Sequence, residues 1–304
     1  MSPDLARLRR EVSRSFDLSL RALPGPMRDG VGLGYLLARA SDTLADTAAV
    51  PVADRLECLD GFAAELETGD KSWRSGLAAF AGRQEHTGER ELLERLDDCL
   101  RLLAELPSDQ AALVREVVAI IISGQRLDLQ RFGPEGGQLP DDAALEDYCH
   151  RVAGCVGVFW TRMGRLTLGS GFALVDTSRM EAWGEAFGRG LQLVNILRDV
   201  PTDLEKGRCY LPGVDAQDPA SVMTGVAKWT QRAAQGLAAG RQYSSALRSW
   251  RLRTATVLPA LIGEETLAKI EAADWARLQS GIKVSRAVVR SCLWQAMIFP
   301  RKDA

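Results

Sequence analysis

The sequence predicts an all-α protein, and three observations carry that prediction. Alanine, leucine, arginine and glutamate dominate it, and the β-branched alternation that marks strands is almost absent. Apolar residues recur instead at three- and four-residue steps. Between such stretches fall short breaks rich in Gly, Pro, Asp and Ser, such as "LPGP" (23–26), "ETGDKS" (67–72), "LPSD" (106–109), "FGPEGGQLPDD" (132–142) and "KGRCYLPGVDAQDPAS" (206–221).

Taken in order, residues 27–46 form the first long helix candidate, with Tyr35, Leu36, Arg39, Asp42 and Asp46 on one side. Pro51 is expected just inside the next helix, where its missing N–H costs nothing. Ser108 with Asp109 is expected to cap a helix over 110–131, and Asp141 with Asp142 one over 143–167. Residues 178–203 predict another, with Gln192, Asn195, Asp199 and Asp203 along one side. No composition shift or linker divides the chain, so residues 1–304 are expected to form a single domain.

Composition removes several function classes. Hydrophobic residues at 46% and charged residues at 26% describe ordinary globular usage. A net charge of -2 supplies no basic field for nucleic acid. Six cysteines without a C-x-x-C pair, and only His86 and His150, argue against a zinc site or a disulfide framework, so a reducing cytoplasm fits best. No segment has the apolar run of a signal peptide or a membrane span, which leaves peripheral membrane contact as the expected limit of any association.

The chemistry-bearing pattern is Asp-x-x-x-Asp, which occurs twice, at Asp42/Asp46 and Asp199/Asp203. Each pair lies near the C-terminal end of an apolar helix, where the dipole disfavours negative charge and like charges one turn apart cost roughly 0.2–0.5 kcal/mol more. One reading makes each pair a solvated face. The other joins the two carboxylates on a hard divalent cation such as magnesium, which takes oxygen ligands and bridges to phosphates. Arg39, Arg198 and Arg208 stand beside the pairs and suit phosphate oxygens, which favours the second reading.

The segments "SRSFDLSLRALPGPMRDGVGLGYLLARASDTLAD" (13–46), "YCHRVAGCVG" (148–157) and "GLQLVNILRDVPTDLEKGRCYLP" (190–212) resemble, in order and spacing, the signature segments of the squalene/phytoene synthase family. The resemblance implies a single-domain isoprenoid-synthase helical bundle with a central cavity. It implies head-to-head joining of two prenyl diphosphates through a cyclopropylcarbinyl diphosphate, and "SRSF" with "DTLAD" favours two farnesyl diphosphates and squalene, formed with NADPH. Proton loss to phytoene or dehydrosqualene, arrest at presqualene diphosphate, and a non-catalytic prenyl-lipid-binding protein are the alternatives.

By the same resemblance Asp42, Asp46, Asp199 and Asp203 are the magnesium ligands. Tyr148 steers the first half-reaction through proton transfer or cation stabilisation, or is a wall residue. Ser13, Arg14, Phe16, Tyr35, Arg39, Gln192, Asn195, Arg198, Arg208 and Lys283 are the substrate- and cofactor-binding candidates. Two positions depart from squalene synthases: Ala45 replaces a glutamate often found before the second acid, and Ser285 stands where an arginine that binds the cofactor is expected, with Arg286 as a substitute. Pro201 either opens the second acid-bearing helix toward the following loop or ends it between the two aspartates.

Overall fold

The structure, a computed structural model, describes residues 3–13, 17–133 and 136–299. The chain divides into two compact units, one of residues up to 130 with 166–168, the other of residues 131–165 with 169 onward.

The first unit is built on helices α1 (Pro3–Ser13), α2 (Asp17–Ala22), α3 (Gly25–Asp46), α4 (Val52–Thr68), α5 (Leu77–Ala81), α6 (Thr87–Glu94), α7 (Leu96–Glu105) and most of α8 (Ser108–Arg131). Helix α3 is its centre and touches α1, α2, α4, α6 and α7. Pro24 and Pro26 set its start, and Met27, Leu36, Leu37, Ala40 and Leu44 are fully buried along it. Each of the three leucines contributes about 1.5–3 kcal/mol by leaving water. The helix ends at Asp46 with no basic residue in its last turn. A buried arginine from α4 answers that end instead: Arg55 Nη1 donates to the Ala45 carbonyl at 2.7 Å, setting a cation at the negative pole of the dipole.

Two starts differ from expectation in this unit. Pro51 occupies the N-cap of α4 rather than its first turn. Ser108 lies inside α8, its hydroxyl donating to Asp109, so the helix begins two residues early. Val114, Val118, Ile122, Gln125 and Leu129 form a buried stripe along α8 at steps of three and four, and Gln125 is its one strongly polar member.

The second unit holds strand β1 (Gly137–Gln138), α9 (Asp142–Cys149), most of α10 (Cys155–Leu168), α11 (Thr177–Glu205), strand β2 (Arg208–Cys209), α12 (Pro219–Ala246), α13 (Trp250–Glu271), α14 (Trp275–Gln279) and α15 (Arg286–Met297). Asp141 caps α9 as expected, accepting from the Ala144 N–H at 2.8 Å. The helix expected over 143–167 is interrupted by one wide turn of π-helix, His150–Gly154, between α9 and α10. Helix α11 crosses this turn and α12 at backbone contact. A Cβ on Gly188 would meet the Ala153 carbonyl oxygen at 2.3 Å, and one on Gly190 would meet the Gly236 Cα at 2.7 Å. These glycines are required by proximity, since no side chain fits.

Strands are absent from the sequence pattern, yet β1 and β2 pair in parallel, with Gly137 opposite Arg208 and Gln138 opposite Cys209. Gly136 and Gly207 adopt φ of 74° at the crossing, and a Cβ on Gly136 would lie 2.5 Å from the Gly207 carbonyl oxygen. All six cysteines are buried thiols. No described helix is long and apolar enough to cross a membrane.

Candidate active site

Asp42 and Asp46 occupy the last turn and a half of α3, one half-buried and the other exposed. Asp42 accepts a hydrogen bond from Gln125 Nε2 of α8 at 2.5 Å and lies 3.8 Å from Arg39 Nη1. Burial pushes its carboxyl up to about 6, and the negative charge of Asp46 pushes the same way against the pull of Arg39 and Gln125. Its side chain nevertheless keeps 43% of its exposure, so solvent still reaches the group. Arg39 is also bound by Glu89 of α6. Burial works to lower the Arg39 guanidinium, but Glu89 and Asp42 together raise it above its ordinary value. Tyr35, one turn earlier, donates to the Val12 carbonyl at 3.1 Å and ties α3 to α1.

The second pair sits on α11, which runs through Pro201 to Glu205 without breaking. Asp199 and Asp203 therefore lie one turn apart on one continuous helix. Arg198 grips its neighbour Asp199 with both arms, Nε to Oδ1 at 2.8 Å and Nη2 to Oδ2 at 2.5 Å. These bonds raise the Arg198 guanidinium, and the charges of Asp199 and Asp203 add to the effect. Asp203 and Arg208 line a common cleft with Val200, Leu204 and Tyr210. The β1–β2 pairing holds Arg208 there. Tyr210 stacks on Tyr148 with ring centroids 5.1 Å apart and makes an edge contact with Phe132 at 4.8 Å. Gln192 is half-buried and Asn195 exposed on the side of α11 that carries Asp199.

A family description, squalene/phytoene synthase, matches residues 9–288. The chain belongs to the squalene/phytoene synthase family. It is 32% identical over 201 residues to the presqualene diphosphate synthase of Zymomonas mobilis, covering 66% of this chain and 56% of that protein. It is 29% identical over 204 residues to squalene synthase ERG9 of Candida albicans, covering 66% of this chain and 43% of that one. The chain thus spans about half the length of the relatives it matches. The solved complex of TcSQS with the ligand E5700 superposes with a TM-score of 0.78 at 22% identity, over 97% of this chain and 85% of the other, which establishes the all-α isoprenoid-synthase fold.

Against that family background, the first unit gathers Tyr35, Arg39, Asp42 and Asp46 on α3, and the second gathers Arg198, Asp199, Asp203 and Arg208 with Tyr148 behind Tyr210. Lys283 stands in the exposed segment before α15, where its carbonyl accepts from Lys269 Nζ at 3.0 Å. Ser13 ends α1, while Arg14 and Phe16 lie outside the described residues. Three participants escaped sequence reasoning: Gln125, Glu89 and Tyr210. Gln125 left one trace, a glutamine at the spacing of a buried stripe.

Among the described residues no three His, Cys, Asp or Glu side chains converge as a preassembled metal cage. The donor set nevertheless fits magnesium. Two carboxylates on successive turns leave most of an octahedron to waters and phosphate oxygens, which is how this ion is usually held. Gln125 Oε1 is moreover a buried acceptor without a donor among the described residues, so the surroundings of Asp42 are one donor short, as a hydrated-cation site would be.

Proposed function

We propose that the chain is a magnesium-dependent prenyltransferase that joins two farnesyl diphosphates head to head. The observation that carries this reading is the family match over residues 9–288 together with two aspartate pairs, Asp42/Asp46 and Asp199/Asp203, each one turn apart on its helix. Burial and the neighbouring Asp46 both push the Asp42 carboxyl up, so that pair gains when a cation arrives. Magnesium bound there would neutralise charge developing on the departing diphosphate. Arg39 and Arg198 hold the aspartates in place and offer guanidinium edges to phosphate oxygens. The first diphosphate leaves with the C–O bond electrons, and the double bond of the second substrate attacks the allylic cation. Proton loss then closes the cyclopropane of presqualene diphosphate. Tyr148 and its stacked partner Tyr210 would offer π faces to the cation and a phenol to the proton.

In the leading reading the second diphosphate departs with the C–O bond electrons and the cyclopropane opens; Lys283 and Arg286 would hold NADPH, whose hydride would reduce the resulting cation to squalene. A second reading stops at presqualene diphosphate, and two observations favour it. Ser285 spends its hydroxyl on capping α15, accepting from the Val288 N–H at 3.3 Å, which leaves Lys283 and Arg286 as the cations of that segment. The Zymomonas relative is itself a presqualene diphosphate synthase. The test is a product assay with farnesyl diphosphate and magnesium, with and without NADPH, read by mass spectrometry. Squalene that requires NADPH supports the first reading, and presqualene diphosphate accumulating regardless supports the second. Failure to release diphosphate under either condition, with wild-type and Asp199→Ala protein alike, overturns both.

A further inference from the structure

We propose that the outer face of α15, with the start of α13, is a docking surface for an anionic lipid bilayer. Helices α13 and α15 run antiparallel: Thr254 Oγ1 donates to the Ala296 carbonyl at 3.2 Å at one end, and Lys269 Nζ to the Lys283 carbonyl at 3.0 Å at the other. One side of α15 is committed to the interior. Val288, Cys292 and Ala296, at four-residue steps, pack with Val257 and Leu261 of α13. The opposite side carries Arg286, Arg290, Trp294 and, just past the helix end, Ile298, also at four-residue steps and all exposed.

No described residue covers the apolar part of that stripe. Trp294 keeps 69% of its exposure and Ile298 80%, with Met297 beside them. Trp250 begins α13 one turn before Thr254, hence at the same end of the helix pair, and keeps 58%. Of the six large apolar side chains most exposed among the described residues, five lie on these segments: Trp250, Val289, Trp294, Met297 and Ile298. Isolated exposed apolar residues need no explanation, but a cluster of this kind marks an interaction surface.

Charge selects the occupant. Residues 247–263 and 280–299 contain Arg248, Arg251, Arg253, Lys283, Arg286 and Arg290 and not one acid. The nearest acid along α13, Glu264, is held by Arg241 at 3.0 Å, and its neighbour Glu265 acts on Cys292, on the inward side of α15. A second copy of the chain across a two-fold axis would set these arginines against their own images, which opposes self-association. An anionic surface meets the same arginines with opposite charge, while tryptophan prefers the boundary between headgroups and acyl chains. The stripe runs from arginines at the start of α15 to Trp294 and Ile298 at its end, so that end would enter the boundary with Trp250 while Arg248, Arg251 and Arg290 stay among headgroups. The hydrocarbon product of the reaction proposed above would gain an exit into lipid, a use that rests on that reading although the docking itself does not.

The test is flotation of the full chain with vesicles of phosphatidylcholine alone and of phosphatidylcholine mixed with phosphatidylglycerol, at low and high salt. The expected result is binding to the mixed vesicles that weakens with salt. Arg248→Gln with Arg290→Gln should reduce it by about tenfold or more. Trp294→Ala with Ile298→Ser should lower it at both salt concentrations, with unchanged circular dichroism and unchanged diphosphate release in detergent solution. Absence of flotation, flotation indifferent to both variant pairs, or a monomer–dimer equilibrium in sedimentation that depends on Trp294 and Ile298 in place of lipid binding would overturn the proposal.

Discussion

Asp42 is the residue whose surroundings oppose its own charge. Its carboxyl titrates near 6 in the folded chain against 3.8 as an ordinary side chain, so the folded state binds this proton more tightly than the unfolded one. The sign follows from linkage: the group costs nothing below about pH 4 and takes stability away as pH rises through 6. Asp42→Asn removes that cost, and the new amide can donate to the orphaned Gln125 Oε1. In metal-free buffer near neutral pH the variant should melt higher than the wild type by the equivalent of about 1 kcal/mol, the nominal shift being discounted for a side chain that solvent reaches. The gain should vanish by about pH 4 while turnover falls by several orders of magnitude at every pH. A variant no more stable at neutral pH than at low pH would remove the electrostatic account, and near-normal turnover would remove Asp42 from the cation site.

Helix α11 carries the second pair, and its position is set by what its glycines let it touch. Gly188→Ala places a methyl group 2.3 Å from the Ala153 carbonyl oxygen, and neither backbone can yield without moving the π-helical turn. The expected loss is about 1–3 kcal/mol in urea unfolding, with a matching fall in activity as Asp199 and Asp203 shift with the helix. Gly25→Ala, in the first turn of α3 with nothing near its would-be Cβ, should change neither quantity by more than about 0.5 kcal/mol. Equal effects of the two substitutions would show that proximity at Gly188 is not the cause. The reach of α11 was legible in the three- and four-residue spacing of Gln192, Asn195, Asp199 and Asp203, but its unbroken passage through Pro201 was not, since proline removes a helical donor and usually kinks or ends the helix. The π-helical turn was not legible, since "YCHRVAGCVG" satisfies helical spacing and the extra residue per turn follows from the packing of α11 against it. Nor was the β1–β2 pair, which depends on two glycines 71 positions apart meeting at positive φ.

Across the whole molecule, legibility followed sequence distance. Both aspartate pairs could be found because each is local, rare and set in an apolar helix. Their partners could not, because Gln125 reaches Asp42 over 83 positions and Glu89 reaches Arg39 over 50. The lack of pairing motifs spoke against a disulfide framework, and the six cysteines are thiols; that all six lie inside was not read from the sequence. Burial pushes Cys58 up to about 11 and Cys99 up to about 12, and raises Cys149, Cys209 and Cys292 as well. A thiol with a pKa near 11 is ionised to about one part in a thousand at pH 8, and the thiolate is the form that reacts. Exposure and ionisation therefore fail together, in both units of the chain. A disulfide reagent at that pH should modify the native protein only as fast as it opens, release six equivalents at once in denaturant, and leave the melting temperature indifferent to added reductant. Several thiols reacting within seconds in the native state would mean that solvent reaches them, and that the packing around the helices that carry them, such as α4, α7, α9 and α15, is looser than described.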